Sequence, residues 1–344
     1  MELSPRKQAV LKAIVTAYIK TGEPVGSKNL TALLENAPSS ATLRNEMSEL
    51  CELGFLQQPH TSAGRIPTVG GYRFYVDSIM RSGVISESVR GFVDKALDES
   101  HCEAEQIPET AAQMLSQLIG LPAIACTTIE KPSRIKRLEL LPINRYSVML
   151  LIITDDGRTR SRIFRQNSDF TGELELLFKD LTNRFLIGKR VDELNIAYMQ
   201  NVVANAGIKA LELIPLFTAV CETAALIGTS DVRLKNEGAL YNICGDEKTA
   251  NRVLNLIKRR DPIIALMENI GDGVGAVFGA DTGYSELERD TIVAARFSSD
   301  DKYTGYIGII GPNRMHYEQI MPVVKYTAER LTEIMTEAQK DMED

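Results

Sequence analysis

The chain has 344 residues, of which 44% are hydrophobic and 25% are charged, and its formal net charge is −7 at pH 7. A chain of this length and composition is expected to form two or three globular domains. No run approaches the roughly 20 apolar residues of a membrane span, and the N-terminus has no apolar signal-peptide core. We therefore expect a cytoplasmic protein, and the acidic balance excludes one that is basic throughout.

Positive charge is mildly concentrated at the beginning of the chain. Residues 1–82 contain nine Lys or Arg and seven Asp or Glu, a balance of +2, which leaves −9 for the remaining residues. DNA binding requires only a local basic surface, because the attraction comes from the few side chains that reach phosphates. This asymmetry permits a DNA-binding segment at the N-terminus but does not establish one.

The same segment has the pattern of three short helices. Ser4-Pro5 is typical of a helix start, since a hydroxyl cap is followed by proline. Apolar residues at helical spacing then run to a predicted stop at Gly22. Ser27 is predicted to cap a second helix, and the stretch 38–40 ends it and starts a third helix over 41–53.

The third predicted helix has the properties of a recognition helix. Its first two turns carry small or hydrogen-bonding groups opposite an apolar stripe, and its acidic residues come later. Such groups can approach base edges and phosphates. The side chains predicted to face the major groove or its flanking phosphates are Ser40, Thr42, Arg44, Asn45 and Ser48. For this helix alone, a solvated amphipathic helix is the alternative interpretation.

A polar hairpin bounded by prolines follows the third helix. Phe55-Leu56 is predicted to be a short strand, and the stretch 57–68 carries one arginine, which we expect near the tip. A helix–turn–helix followed by a hairpin is the outline of a winged helix, whose wing often places Arg on the minor groove or the backbone. The predicted wing contacts are His60, Thr61, Ser62 and Arg65; an ordinary surface loop is the alternative.

The rest of the chain alternates between helical and strand-like segments. Three helices over 69–120 are predicted to link the N-terminal unit to the body. Further elements are expected as strands at 123–129, 137–141, 147–154 and 159–165, helices from 173 to about 227 and at 247–260, strands at 275–279, 291–297 and 306–310, and a helix at 315–342. A helical block between two sets of strands is typical of an insertion into an α+β domain.

Five motifs resemble the heat-inducible transcription repressor HrcA family of bacteria. They are 22–27 (GEPVGS), 39–47 (SSATLRNEM), 59–68 (PHTSAGRIPT), 71–77 (GYRFYVD) and 305–317 (GYIGIIGPNRMHY). The resemblance implies a winged helix, a GAF-like α+β domain and a helical dimerisation insertion within it. With the pattern above, the predicted domains are 1–82 for DNA binding, 83–167 with 231–344 for the GAF-like domain, and 168–230 for the insertion.

The resemblance also implies a function. Members of the family bind an inverted repeat, the CIRCE operator, upstream of chaperone operons and repress them, and the GroEL chaperonin maintains their activity. An inverted repeat requires a two-fold arrangement of DNA-binding units, so a homodimer is expected. The candidate dimer surface is the apolar set Leu174, Leu177, Leu181, Phe185 and Leu186, although these residues could equally form a core.

Catalytic, metal and cofactor sites are not expected. The five cysteines are scattered without a paired Cys or a nearby His, unlike a zinc site. The glycine cluster 271–279 lacks the spacing of a dinucleotide-binding loop. Arg314 most simply starts the last helix, with anion binding as a weaker hypothesis. A metabolite-sensing regulator with a ligand-binding GAF-like domain is the alternative function, and an enzyme with an accessory DNA-binding domain is a third.

Overall fold

A computed structural model gives the fold of the chain. The structure describes residues 3–35, 37–60, 63–80, 83–98, 106–128, 133–144, 146–165, 171–227, 230–299 and 303–343. Its described residues form three units, each with helices packed on strands.

The N-terminal unit is a winged helix. Its elements are α1 (Pro5–Thr21), α2 (Ser27–Leu33), α3 (Ser40–Glu52), β1 (Leu56–Gln57), β2 (Ile66–Pro67) and α4 (Val69–Phe74), and α4 continues into a single π-helical turn, Tyr75–Ile79. The strands β1 and β2 pair in antiparallel fashion. The three helices and the hairpin therefore occur in the predicted order.

The ends of these helices follow from local chemistry. The Ser4 hydroxyl accepts a hydrogen bond from the Lys7 backbone N–H, and Gly22 ends α1 in the left-handed conformation at φ 74°. The prediction that Ser27 caps α2 is wrong, because Gly26 occupies the cap position. The Ser27 hydroxyl instead lies 2.9 Å from the hydroxyl of Ser40 and so joins the start of α2 to the start of α3.

The body is built on a five-stranded antiparallel sheet. Two helices, α5 (Glu87–Asp98) and α6 (Ile107–Ile119), precede it. The strands lie in the order β7 (Asp231–Lys235), β3 (Ala123–Thr128), β10 (Tyr303–Pro312), β9 (Asp290–Ser299) and β8 (Val274–Phe278). The remaining helices of the body are α10 (Gly238–Cys244), α11 (Glu247–Lys258), α12 (Asp261–Glu268) and α13 (Tyr317–Glu343).

Helices cover both faces of this sheet, as in a GAF-like α+β domain. Alternate residues of a strand point to opposite faces. Val293 and Ile307 face the core that holds α5, α6 and α13, whereas Ile292 and Ile310 face the core that holds α10, α11 and α12. The strand β7 and the helices α10 and α12 were not predicted from the sequence, because they are only five, seven and eight residues long and a short apolar pattern is ambiguous.

The inserted unit contains strands as well as helices. It consists of β4 (Ile135–Asn144), β5 (Ser147–Thr154), β6 (Thr159–Arg165), α7 (Gly172–Phe185), α8 (Ile196–Asn205) and α9 (Ile214–Ile227). These strands form a separate three-stranded sheet, and Leu150 and Ile152 share one core with the three helices. The insertion therefore begins before β4, in contrast to the predicted start at residue 168.

A buried ion pair joins the beginning and the end of this insertion. The carboxylate of Asp156 lies 3.2 Å from Nε of Arg158, and both side chains are only 8% exposed. The same carboxylate accepts a hydrogen bond of 2.7 Å from the hydroxyl of Ser133, and Arg158 donates to the carbonyl of Ile227 at 3.3 Å. The turn that was predicted as a simple hairpin connection thus holds both ends of the insertion.

The candidate dimer side chains of α7 mostly lie inside the insertion. Leu174, Leu181 and Leu186 are buried in its core, and Leu177 and Phe185 pack against that core. The structure therefore agrees with the alternative that these residues form a core, because the apolar stripe of α7 faces α9 and the sheet. The three buried side chains are not available to a partner.

One helical stretch differs from the expectation that no segment approaches a membrane span. Residues Ile208–Ile227 are long and apolar enough to cross a membrane by length and composition, and 56% of this stretch is buried inside the protein. It contains charged residues at Lys209, Glu212 and Glu222. Its buried apolar side chains, among them Leu213, Phe217 and Val220, belong to the core of the inserted unit, which explains much of its high hydropathy.

Candidate nucleic-acid interface

A groove of about 760 Å³ opens between the N-terminal half of α3, the start of α2 and the wing. Three of the side chains that line it are basic and none is acidic. The lining residues are Gly26, Ser27, Lys28, Ser40, Ala41, Arg44, Asn45, Met47, Ser48, Gln58, Ala63, Gly64 and Arg65. Such a groove favours a polyanion with polar edges, which is the chemistry of duplex DNA.

The face of α3 that lines the groove is its polar face. Leu43, Met47 and Leu50 are at most 4% exposed and anchor α3 in the core of the winged helix. Arg44 and Asn45 project from the other side and are exposed to solvent. A guanidinium and an amide are the groups that read guanine and adenine edges in the major groove.

The predicted hydroxyl groups of α3 are already engaged within the protein. The Thr42 hydroxyl lies 2.9 Å from that of Ser39, the residue that caps α3, and Thr42 does not line the groove. Ser48 donates to the carbonyl of Arg44 at 3.0 Å, and Ser40 is paired with Ser27. These hydroxyls shape the surface, whereas Arg44 and Asn45 carry the polar groups that extend from it.

Two of the three acidic residues of α3 contact α1. Nε of Arg6 is 3.3 Å from Glu46, and Nζ of Lys7 is 2.7 Å from Glu49. The hydrogen bond to Glu49 raises the pKa of Lys7 above its ordinary value. Both carboxylates are therefore paired with cations away from the groove, which leaves the groove with a positive balance.

The wing is held by a third strand-like contact. The backbone of Val25 exchanges two hydrogen bonds of 2.9 Å with Arg65, beside the β1–β2 pair. Gly64 is required here, because a Cβ atom at this position would lie 2.4 Å from the carbonyl of Val25. Arg65 thus lies on the returning strand, and the prediction that it sits near the tip is wrong.

In the wing, the carbonyl of His60 accepts a hydrogen bond of 2.9 Å from the N–H of Ala63. His60 is exposed. Thr61 and Ser62, which were also predicted as wing contacts, lie outside the described residues. Arg65 is the predicted wing side chain that the structure brings into the groove.

Lys28 and Gln58 contribute long polar side chains to the groove and were not among the predicted contacts. Lys28 is exposed in the first turn of α2, and Gln58 lines the groove from the start of the wing, where it donates to the carbonyl of Ala63 at 3.1 Å. Lys28 follows the predicted helix start at Ser27. A cation at the start of the first helix of a helix-turn-helix pair was the available signal, because that end crosses the DNA backbone.

The other candidate sites have structural explanations. Within the described ranges, no group of three or more His, Cys, Asp or Glu side chains could hold a metal ion. Gly271 and Gly273 have positive φ in the turn that leads into β8, and this strand is paired with β9 in antiparallel fashion. The guanidinium of Arg314 lies over the ring of Tyr18, 5.9 Å from its centre.

Comparison with known families gives two matches that together span most of the chain. Residues 2–78 match the family described as "Winged helix-turn-helix transcription repressor, HrcA DNA-binding", and residues 105–321 match "HrcA protein C terminal domain". The second match alone covers more than half of the chain.

The chain belongs to the HrcA family of heat-inducible transcription repressors.

Relatives in this family are similar over nearly their full length. The heat-inducible transcription repressor HrcA of Brevibacillus brevis is 31% identical over 342 residues, which cover 97% of this chain and 98% of the relative. The HrcA repressor of Syntrophobacter fumaroxidans is 30% identical over 350 residues, with 99% of both chains covered. The HrcA winged-helix match contains every described residue of the groove.

A solved structure shares the fold of the whole chain. The crystal structure of a hypothetical protein matches 98% of this chain and 100% of its own, with a TM-score of 0.66 and 23% sequence identity. The three-unit architecture of this HrcA-family chain is therefore found in an experimental structure.

Proposed function

We propose that this repressor binds an inverted-repeat operator of the CIRCE type as a homodimer, through the groove between α3 and the wing. The observation that carries the proposal is the composition of that groove, whose lining includes three basic side chains, one each from α2, α3 and the wing, and no acidic one. Repression follows because a protein held on the operator excludes the transcription machinery. Since its target is chromosomal DNA, the protein acts in the cytoplasm.

Each groove residue has a proposed role. Arg44 and Asn45 read base edges in the major groove, because both are exposed on the face of α3 that lines the groove. Lys28 and Arg65 contact phosphates on either side, and Arg65 can also enter the minor groove. The free backbone N–H groups at the start of α3 hold a further phosphate.

The remaining predicted contacts have supporting roles in this proposal. Ser40, Thr42 and Ser48 lie on α3 and keep its backbone and the two reading side chains in place through their internal hydrogen bonds. His60, with Thr61 and Ser62, places the tip of the wing against the DNA backbone.

The proposed dimer surface lies on α8, the segment Ile208–Leu213 and the start of α9. Ile196, Leu211 and Ile214 are 46–60% exposed and line a mostly apolar groove of about 200 Å³ there, and Ile208, in the same segment as Leu211, is 87% exposed. An apolar projection next to an apolar groove is self-complementary under a two-fold axis, since each copy can fill the groove of the other. This set replaces the α7 residues that the sequence suggested.

Regulation by the GroEL chaperonin is the proposed link to heat shock. Its support is membership of the HrcA family, whose members are heat-inducible repressors. In this scheme free chaperonin maintains the repressor, and unfolded proteins that occupy the chaperonin lower repression of the chaperone genes.

Fluorescence anisotropy with a labelled CIRCE duplex and a scrambled duplex tests the groove. Arg44→Ala or Asn45→Ala should weaken operator binding by about 5- to 150-fold, which corresponds to about 1–3 kcal/mol, and should reduce the preference over the scrambled duplex. Arg65→Ala or Lys28→Ala should weaken binding to both duplexes and lower the salt slope by about 1.

Lys12→Ala is the matched control for these variants. It removes the same charge from an exposed position on α1 that does not line the groove. It should therefore leave operator affinity within about twofold of the wild-type value, because a distant surface charge is screened by salt. Equal losses for Lys12→Ala and the groove variants would show that net charge, and not the groove, accounts for binding.

A further inference from the structure

Two of the sequence motifs lie outside the DNA-binding groove and meet each other. The segment 71–77 follows the wing, and the segment 305–317 runs from β10 to the start of α13. In the folded chain, these segments and their immediate neighbours form the contact between the winged helix and the body. We call this contact the junction and define it by Arg73, Tyr75, Asp281, Arg314 and Glu318.

Polar contacts tie the two units together across the junction. The hydroxyl of Tyr75 donates a hydrogen bond of 2.6 Å to the carboxylate of Glu318. The guanidinium of Arg73 is paired with the carboxylate of Asp281. On the other side of the contact, Arg314 lies over the ring of Tyr18.

The position of Arg314 also involves the end of α1. A Cβ atom at Gly22 would lie 2.1 Å from Nη1 of Arg314. The guanidinium therefore rests against the glycine that terminates α1, and this end of the winged helix is fixed against the start of α13. Any larger residue at 22 would displace Arg314.

The apolar core continues across the junction. The ring of Tyr317 lies between that of Tyr72 in the winged helix, with centroids 6.3 Å apart, and that of Phe278 in β8, at 6.1 Å. Tyr75 and Tyr317 are at most 1% exposed and belong to the same buried cluster. The winged helix is thus docked on the body in one orientation and is not simply tethered to it.

The junction leaves the DNA-binding groove open. None of the five junction residues lines that groove, which lies between α3 and the wing. The winged-helix side of the contact is instead formed by α1, α4 and the turn after α4. Docking consequently fixes the direction in which the groove points without covering it.

We propose that the junction determines which spacing between operator half-sites the dimer accepts. The proposal rests on the proposed function, a homodimer on an inverted repeat. Two recognition helices that are rigidly mounted can enter successive major grooves only when the half-sites have the matching separation and helical phase. A loosened mount lets each winged helix reorient, so the affinity depends less steeply on spacing.

The test uses a variant altered only on the body side, Asp281→Arg with Arg314→Ala and Glu318→Ala, in the full-length chain. The winged helix keeps its sequence, so binding to a duplex with a single half-site should stay within about twofold of wild type. Anisotropy is measured on CIRCE duplexes whose spacer is varied one base pair at a time across about one helical turn of 10.5 base pairs. Asp272→Arg, which reverses a carboxylate paired with Arg296 within the body, is the control.

The wild-type protein and Asp272→Arg should bind the best spacer at least about tenfold more tightly than the worst. For the body-side variant, the affinity should vary by less than about threefold across the spacers. Adding Arg73→Asp should restore part of the spacing dependence, because it forms an ion pair of reversed polarity with the arginine introduced by Asp281→Arg. If the affinity of the variant depends on spacing as steeply as that of the wild type, the junction proposal is overturned. If wild type shows no spacing dependence at all, the proposed dimer on an inverted repeat fails instead.

Loss of half-site binding by the body-side variant would mean that the substitutions damage the winged helix itself. The test then uses Tyr75→Phe in place of the body-side variant, because this substitution keeps the buried ring and removes only the hydroxyl that donates to Glu318. A steep spacing profile for Tyr75→Phe, equal to that of wild type, would overturn the proposal in the same way.

Discussion

Replacing Asp156 by alanine should destabilise the inserted unit by about 4 kcal/mol. The substitution removes the carboxylate that lies 3.2 Å from Nε of Arg158, whose side chain is 8% exposed. Removing one partner of a buried ion pair costs about 3–5 kcal/mol. The hydroxyl of Ser133 also loses its 2.7 Å acceptor, which adds about 1 kcal/mol at most, since neighbouring losses are not additive.

Urea unfolding followed by circular dichroism measures this change, and hydrogen exchange with mass spectrometry locates it. Because a chain of three units need not unfold in one step, the loss of protection should appear in 133–165 and 171–227 and not in the winged helix. Asp155→Ala is the control, since Asp155 is exposed and its side chain accepts a backbone hydrogen bond of 2.9 Å from Arg134. It should cost about 1 kcal/mol or less.

A second variant separates the ion pair from local packing. Asp156→Ala combined with Arg158→Met removes both charges, and it should recover part of the stability lost by Asp156→Ala because the buried guanidinium is removed together with the carboxylate. A loss below about 1 kcal/mol for Asp156→Ala, or equal losses for Asp155→Ala and Asp156→Ala, would refute the reasoning that this pair holds the ends of the insertion together.

Three further predictions concern other parts of the chain. Tyr72→Phe should raise the free energy of unfolding by about 1 kcal/mol in denaturant titrations, because the buried Tyr72 hydroxyl has no hydrogen-bond partner in the described structure. Tyr75→Phe should lower the free energy of unfolding by a similar amount, because the Tyr75 hydroxyl donates to Glu318. Equal effects of the two substitutions would contradict this. Burial raises the pKa of Asp290 to about 6, so the charged form destabilises the fold above pH 6 and the penalty disappears as pH falls toward 4. Asp290→Asn should therefore be more stable than wild type by roughly 2 kcal/mol at pH 7 and equal to it near pH 4, as pH-dependent urea unfolding would show; a constant difference would exclude the titration. The side chain of Ile208 is 87% exposed on the proposed dimer surface. Ile208→Glu should therefore convert the proposed dimer to a monomer, as measured by light scattering, without lowering the thermal midpoint of unfolding. An unchanged dimer mass would place the interface elsewhere.

The sequence was most informative where structure is determined by neighbouring residues. Ser4, Pro5 and Gly22 define α1 through a hydroxyl cap, a fixed φ and a left-handed stop, and all three act over one helical turn. The strands β5 and β6 were predicted with their observed bounds, because their patterns are bounded by a turn at 155–157. The polar face of α3 could likewise be assigned from helical spacing.

The errors arose where long-range contacts decide the outcome. Arg65 lies off the tip of the wing because its backbone pairs with Val25, which is far away in sequence. The start of the insertion was misplaced because the pattern of β5 predicts a strand without showing which sheet it joins. The apolar residues of α7 were left open between a dimer surface and a core, because a stripe that faces a core and one that faces a partner have the same periodicity.

The junction shows a related limit of sequence reading. The motifs 71–77 and 305–317 were recognised from their sequence, but their physical role depends on their being adjacent in the fold. Arg314 was expected to start the last helix, and its contact with Tyr18 and Gly22 is visible only in the structure.

Binding of the full-length protein to operator DNA tests the central claim most directly. The measurement is a salt titration of affinity for a CIRCE duplex and for a scrambled duplex of the same length and composition. The account predicts that the inverted repeat is bound at least about 10³-fold more tightly, with a steep salt dependence on both duplexes. Equal affinity for the two duplexes at every salt concentration would contradict it.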